Sequence, residues 1–358
     1  MTLSAASGQA LEQVNANGPR DFLVAREMLD SCPNCGGTNF RLWRKAFDRS
    51  CRVSRQEFIY SRCRECGVVF LSARPFERDA YKFYPIDYGP YQPTAPLASQ
   101  RDQSAAPERR PAIQFINRAL QEVLHRLNKA TRRFSPDTLA EEIQEFYRPE
   151  RDGARLLDFG CGTDTFLNRA REQGWDTIGM DVSPQTIEQV RRSGHQAFLL
   201  SPSVWEEIAD ESLDLVRMNH VLEHVYNPGE TLAAVRSKMR AGARLHIALP
   251  NPRSFASKLF RSRWWPLECP RHVILYSPAA LEKFLAGMGF SCIQVRQETI
   301  TKDFARSLGY LLHDCGWIEH EQIMEMIHKP LLAELLFTPA RIAACCGIAD
   351  RFHLFARK

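Results

Sequence analysis

Between residues 150 and 300 the chain alternates short apolar runs with stretches whose apolar positions recur every three or four residues. The runs are Leu156 to Phe159, Thr177 to Met180, Ala197 to Leu200, Leu213 to Met218, and Arg244 to Leu249, the last cut off by Pro250. Short apolar runs bounded by turn residues predict buried strands, and amphipathic spacing predicts helices. Phe166, Leu167 and Ala170 mark one helix face, and Gly174 ends that helix. Ser183-Pro184 and Ser277-Pro278 each open another, with serine as the cap and proline in the first turn. The alternation predicts a parallel sheet covered by helices on both faces. Phe290 to Glu298 supplies a sixth strand, and Arg351 to Arg357 a seventh that arrives late. The expected fold class is α/β with a seven-stranded sheet.

The N-terminal part is patterned differently. Residues 1–25 are small and polar and read as a disordered lead, and residues 26–75 as a small β-ribbon. Residues 76–150 read as a linker and helical segment covering a substrate, with Tyr91 to Pro111 rich in Pro, Ala, Ser and Gln. Helical spacing follows over Ile113 to Arg133, and Ser135-Pro136 caps a segment to Tyr147. Residues 151–358 form the main domain, with a helical insertion at 302–350. There Met324, Ile327, Leu331, Leu332, Leu335 and Leu336 make an apolar stripe. Core or homodimer packing accounts for it, and a lid or membrane-facing helix is the sharper reading. A chain of 358 residues suits two folded units plus a linker. No apolar run approaches the roughly 20 residues of a membrane-spanning helix, and no secretory leader pattern opens the chain. A cytoplasmic location is the expectation.

Candidate chemistry enters at Asp158-Phe159-Gly160-Cys161-Gly162. Glycines let a backbone approach a nucleoside closely. Asp181, at the tip of the following strand, is placed to accept hydrogen bonds from ribose hydroxyls. Dinucleotides and S-adenosylmethionine (SAM) both use this geometry. The dinucleotide fingerprint wants a glycine at 165, where Thr165 stands. The short D-x-G-x-G form resembles motif I of class I SAM-dependent methyltransferases. That resemblance implies a Rossmann-like sheet, SAM as cofactor, and Asp158, Gly160, Cys161, Gly162, Asp181 and Val182 around it. Asp164 replaces the family's common third glycine, and its carboxylate is expected either to pair with the cofactor's ammonium or to weaken binding.

Two cysteine pairs, Cys32-Pro33-Asn34-Cys35-Gly36 and Cys63-Arg64-Glu65-Cys66-Gly67, add a second motif. C-x-x-C knuckles present thiolates in pairs, and four of them suit a closed, structural zinc site. Its binding energy would hold together a module too small to stand on its own core. The remaining cysteines read as reduced core residues.

Asn219-His220-Val221-Leu222-Glu223-His224-Val225 after the fourth strand resembles the signature of ubiquinone-biosynthesis O-methyltransferases, as does Arg271-His272 with Tyr276-Ser277 further on. Their order implies the same kind of enzyme. Histidine suits a general base near neutrality. His224 is the first candidate and His220 the second, with Glu223 orienting one of them. Ubiquinone-type relatives hold a divalent ion with two glutamates and a histidine. His220 replaces the first glutamate, which disfavours magnesium, because hard cations prefer oxygen ligands. The sequence C-x-x-C, C-x-x-C-G-V-V-F, then Phe83-Tyr84-Pro85 and Tyr88, resembles bacterial methyltransferases of surface-polysaccharide or deoxysugar biosynthesis. That resemblance implies a small-molecule or glycan acceptor, with Tyr84, Tyr88, Arg271 and His272 as candidate substrate contacts. A sugar hydroxyl on a nucleotide- or lipid-linked glycan is the first expectation. Another hydroxylated metabolite of quinone or natural-product type, RNA, and a non-catalytic domain are the alternatives. The ribbon is rich in arginine, but a net charge of +5 is modest for a nucleic-acid binder. A peripheral contact with membrane or lipid-linked substrate completes the expected partners.

Overall fold

The computed structural model describes residues 23–85, 118, 120–129 and 138–358. Tyr88, the Tyr91 to Pro111 window and the Ser135-Pro136 cap lie outside the described residues, as do residues 1–22 of the expected disordered lead.

Twelve strands form two sheets among these residues: β1 Arg26–Met28, β2 Phe40–Ala46, β3 Phe58–Cys63, β4 Val69–Pro75, β5 Arg155–Phe159, β6 Asp176–Asp181, β7 Gln196–Leu199, β8 Leu213–Asn219, β9 Met239–Pro250, β10 Ile274–Leu275, β11 Ser291–Glu298 and β12 Arg351–Arg357. The helices are α1 Leu139–Phe146, α2 Thr165–Glu172, α3 Pro184–Arg192, α4 Pro228–Lys238, α5 Phe255–Phe260, α6 Pro278–Gly287, α7 Lys302–Asp314, α8 His320–Met326 and α9 Pro330–Cys345. Both expected serine caps form: Ser183 accepts from the Thr186 amide and Ser277 from the Ala280 amide.

The larger sheet runs β11-β12-β9-β8-β5-β6-β7. Strands β5 to β9 are parallel, and β12 is inserted antiparallel between β9 and β11. The chain starts at β5, builds outward through β6 and β7, then returns to β8 on the other side. That reversal opens a crevice at the carboxyl ends of β5 and β8, where open α/β sheets bind ligands.

The ribbon sheet runs β1-β4-β3-β2, and β10 from the main domain also pairs with β4, Ile274 opposite Phe70 and Leu275 opposite Val69. The sequence suggested a ribbon confined to 26–75, but its sheet takes this strand from two hundred positions further on. A two-residue strand carries no periodic signal, so the sequence could not show it. One buried apolar cluster runs through both sheets, from Phe58 and Phe70 through Leu275 to Ile247 and Phe352. The two units therefore share a core. The insertion also differs from the expected continuous stripe. It breaks after Met326, and Pro330 opens α9 in the first turn, where its missing amide goes unused, while Pro339 lies inside the same helix.

Candidate active site

The glycine loop is built by backbone conformation. Gly160 and Gly162 sit at φ +76° and +61°, in the left-handed region that favours glycine. A Cβ on Gly160 would lie 2.3 Å from Val221 Cγ2, so the loop after β5 and the loop after β8 touch at that point. Gly160→Ala is expected to cost roughly 1–2 kcal/mol from φ alone, plus displacement of Val221, and thermal melts with a cofactor titration check it. Asp181 fastens the loop from the other side. Its Oδ2 accepts the Gly162 amide and its Oδ1 the Ser183 amide, each at 2.9 Å. Burial pushes its carboxyl up, while these backbone donors pull it down. Each oxygen keeps a lone pair, as a ribose diol requires. Val182, beside it, is 61% exposed at the strand tip.

The structure gives the surroundings of three further residues of this loop. The Cys161 thiol is buried with Leu167 and Val190 in the core cluster under the loop, and burial pushes its pKa up. Asp164 is engaged within the fold. Its carboxylate accepts from Gln189 Nε2 and Ser193 Oγ, tying the start of α2 to α3. Asp158 is fully buried, and Arg217 Nη1 donates to its Oδ1 at 2.7 Å. Burial raises this carboxyl against the pull of Arg217. Asp158 Oδ2 has no partner among the described residues. A buried acceptor left over, two glycines at positive φ and a diol-ready carboxylate fit an adenosine-containing cofactor. Arg217, which also lies 4.0 Å from the Phe166 ring, escaped the sequence reading. A lone arginine in the apolar run of β8 was the available signal.

The second half of the site follows β8. His220 adopts φ +58°, and its amide donates to the Ala248 carbonyl. Arg351 Nη1 lies 2.9 Å from His220 Nε2, and Glu223 Oε1 lies 3.2 Å from Nδ1. A guanidinium only donates, so Nε2 accepts and Nδ1 carries the proton. Both nitrogens are engaged, and His220 has no lone pair for a substrate proton. In this arrangement His220 links Glu223 to Arg351 of β12. Arg351, held in turn by Asp303, is the second residue the sequence reading missed.

His224 is held differently. Its Nδ1 lies 3.0 Å from the Arg271 carbonyl and 3.1 Å from the Tyr84 hydroxyl. A carbonyl only accepts, so Nδ1 carries the proton and Nε2 keeps the lone pair. His272, buried, likewise puts its Nδ1 2.8 Å from the Pro266 carbonyl, and burial drives its pKa well below the ordinary value. The two rings meet edge to face at 4.7 Å. Glu223 lies beneath them, 1% exposed. Burial would raise its carboxyl, but the His220 hydrogen bond and the surrounding histidines hold it below the usual range. Its Oε2 has no partner among the described residues. Glu223, His224 and His272 bring one ligand atom each within 4.8 Å of one another. The metal set implied by ubiquinone-type relatives does not form, because His220 is committed to Arg351. A different triad with His272 does converge.

The ribbon reaches this site. Arg271 is buried, donating Nη2 to Asp48 Oδ1 at 3.0 Å and Nη1 to the Phe83 carbonyl at 3.0 Å, with Ser50 also in contact. The Tyr60 hydroxyl donates to the His272 carbonyl at 2.8 Å. Arg271 thus joins the ribbon to the site, and its carbonyl orients His224. At the far end of the ribbon, Cys32 and Cys66 lie 3.6 Å apart through sulfur, Cys35 and Cys63 3.7 Å, and all four within 4.8 Å. A tetrahedral zinc with Zn–S about 2.3 Å has sulfur–sulfur edges of about 3.8 Å. The four residues fit such an ion. Cys51 stands apart from the cluster, near Asp48 and Arg271.

Residues 131–295 match the family described as Methyltransferase domain. A ubiquinone biosynthesis O-methyltransferase of Cereibacter sphaeroides is 29% identical over 150 residues, 39% of this chain and 61% of that relative. A 37.1 kDa protein in transposon TN4556 of Streptomyces fradiae, itself described as uncharacterized, is 34% identical over 112 residues, 28% of this chain and 31% of the relative. The chain thus spans less than two thirds of the length of each of these two relatives. A SAM-dependent methyltransferase of Archaeoglobus fulgidus aligns with 66% of this chain and 94% of its own, at 20% identity and a TM-score of 0.39. The larger unit is thus an α/β fold, and residues 131–295, most of it, match the model described as Methyltransferase domain.

Proposed function

We propose that this protein transfers the methyl group of SAM to a hydroxyl of a sugar carried on a nucleotide or a lipid, in the cytoplasm, with a structural zinc in its ribbon. The observation that carries the reading is His224. Its Nδ1 is locked by the Arg271 carbonyl, its Nε2 lone pair is available, and it follows by three residues Val221, which packs on Gly160 of the glycine loop. SAM supplies a methyl group already activated by its sulfonium. The chain does the rest. Asp181 and the glycine loop hold the nucleoside, and His224 Nε2 takes the acceptor's proton. Glu223 beneath the ring stabilises the imidazolium that results. Tyr84, Phe83, Tyr226, Pro270 and Arg271 wall the pocket beside His224 and keep water from the reacting atoms. Arginines of the ribbon, such as Arg52 and Arg55, support an acceptor that carries a diphosphate. No helix among the described residues is long and apolar enough to cross a membrane.

The test is methyl transfer from SAM to a panel of nucleotide sugars, polyprenyl-diphosphate sugars, dihydroxyphenols and ribosomal RNA, read by mass spectrometry of both products. Transfer to phenols or RNA alone overturns the sugar reading. Absence of SAM binding by calorimetry overturns the enzyme reading. Asp181→Ala is expected to weaken SAM binding by roughly 1–3 kcal/mol, because the ribose hydroxyls lose a charged acceptor.

The converging Glu223, His224 and His272 support one other reading: they would hold a divalent ion, which would supply Lewis-acid chemistry to the acceptor. Two imidazoles and one carboxylate suit zinc, manganese or iron better than magnesium. Activity that disappears on dialysis against a chelator and returns with one added ion, while the ribbon zinc stays in place, selects it over the base.

A further inference from the structure

One surface next to the crevice is both cationic and apolar. In the ribbon, Arg41 on β2 lies directly opposite Arg62 on β3. Like charges paired across strands repel, so this arrangement costs stability unless an anion meets it. Arg253, three residues beyond the end of β9, joins them: burial, then Arg253 and Arg41, hold the Arg62 guanidinium below its ordinary pKa. No carboxylate among the described residues forms an ion pair with Arg41, Arg62 or Arg253. The patch is fixed to the main domain through Arg44, which donates to the Ser257 carbonyl at 2.6 Å and the Arg261 carbonyl at 3.0 Å of the α5 segment. On that helix Phe255 and Leu259, one turn apart on the same face, are 49% and 53% exposed, with Lys258 exposed between them. The helix buries its other face through Ala256, Ser257 and Phe260. It therefore presents two apolar side chains outward beside three unpaired arginines.

We propose that this face, Arg41, Arg62 and Arg253 with Phe255 and Leu259, docks on an anionic lipid bilayer. Phosphate headgroups answer the arginine cluster, and the two apolar side chains enter the headgroup–acyl boundary, the combination that holds peripheral helices at membranes. Nucleic acid would meet the arginines but has no favourable place for Leu259, which cannot stack on a base. The position fits access to the crevice: Ala248, whose carbonyl holds the His220 amide, is five residues before Arg253 on the same sheet edge. A docked chain would face its crevice toward lipid-linked acceptors.

The test is sedimentation of the full chain with phosphatidylcholine vesicles, with and without a quarter phosphatidylglycerol, at two salt concentrations. Binding to the anionic vesicles only, weakened by salt, is expected. R41E/R62E/R253E should lower partitioning at least about tenfold, since each charge contributes near the surface. The separate pair Phe255→Ser with Leu259→Ser should lower it several-fold with the charge intact. Circular dichroism and melting establish that each variant is folded, and Arg253→Glu alone, at an exposed position, provides the arm least able to disturb the fold. Wild type that ignores anionic vesicles overturns the proposal. So does unchanged binding by the folded triple variant, or arginine-dependent binding to RNA with none to vesicles. The readout uses no methyl transfer, so it fails or holds separately from the substrate reading.

Discussion

His224→Ala is expected to lower turnover by roughly 10²–10⁴-fold, the contribution of a positioned general base, with SAM affinity nearly unchanged. The separation of effects follows from the architecture. The cofactor loop is held by Asp181 and Met180, while the His224 ring is held by Arg271 and Tyr84. His220→Ala should act through stability and positioning instead. Removing it leaves Glu223 with one hydrogen bond fewer at a buried site and frees Arg351, a loss of about 1–3 kcal/mol in melting free energy. A truncation that costs turnover at position 220 and none at position 224 would exchange the two roles and require the His220–Arg351 bond to open. Full activity of His224→Ala would leave the fold and cofactor loop intact and remove the base.

The strands of the main sheet were legible because parallel strands buried on both faces are nearly continuous apolar runs, and turn residues bound each of them. Gly160, Gly162 and Asp181 were legible for a related reason: their roles depend on local backbone, which a few adjacent residues determine. Side-chain partners across the sheet were not. Arg217 and Arg351 reach Asp158 and His220 from other strands, and strand neighbours are set by topology rather than by spacing. His220 looked like a candidate base because it follows β8 at the crevice. Its contact with Arg351, 131 positions away, carries no signal in the spacing. His272 was visible as a candidate contact, yet its place over Glu223 depends on β10 pairing with the ribbon, which two residues cannot announce. The partners of Asp164 were hidden for a related reason. A carboxylate in a cofactor loop suggests a ligand, whereas Gln189 and Ser193 of the adjacent helix segment already satisfy it.

Removing the zinc proposed for the ribbon is expected to abolish the proposed methyl transfer, by more than about 10²-fold, while SAM binding persists. Structural zinc in small peptides contributes about 10–16 kcal/mol, a large share of what orders a small ribbon even when it shares its core with the main domain. The knuckles bear on the site through three links. The Tyr276 hydroxyl donates to Asn34 Oδ1, inside the first knuckle, at 2.8 Å. Strand β4, which follows the second knuckle, pairs with β10, and the Leu71 amide donates to the Val273 carbonyl at 2.9 Å. Tyr60 on β3 holds the His272 carbonyl. A ribbon that loosens therefore releases residues 271–276, and with them the carbonyl that fixes the His224 tautomer. The glycine loop and Asp181 lie on β5 and β6, outside these links, so the nucleoside site should survive. Cys66→Ser, or chelation strong enough to leave less than one zinc per chain by elemental analysis, provides the sample. Calorimetry with SAM and an acceptor turnover assay provide the two readouts. An independent ribbon would behave differently: zinc loss would unfold it at a lower temperature and leave turnover on a small acceptor unchanged, and that outcome would refute the coupling.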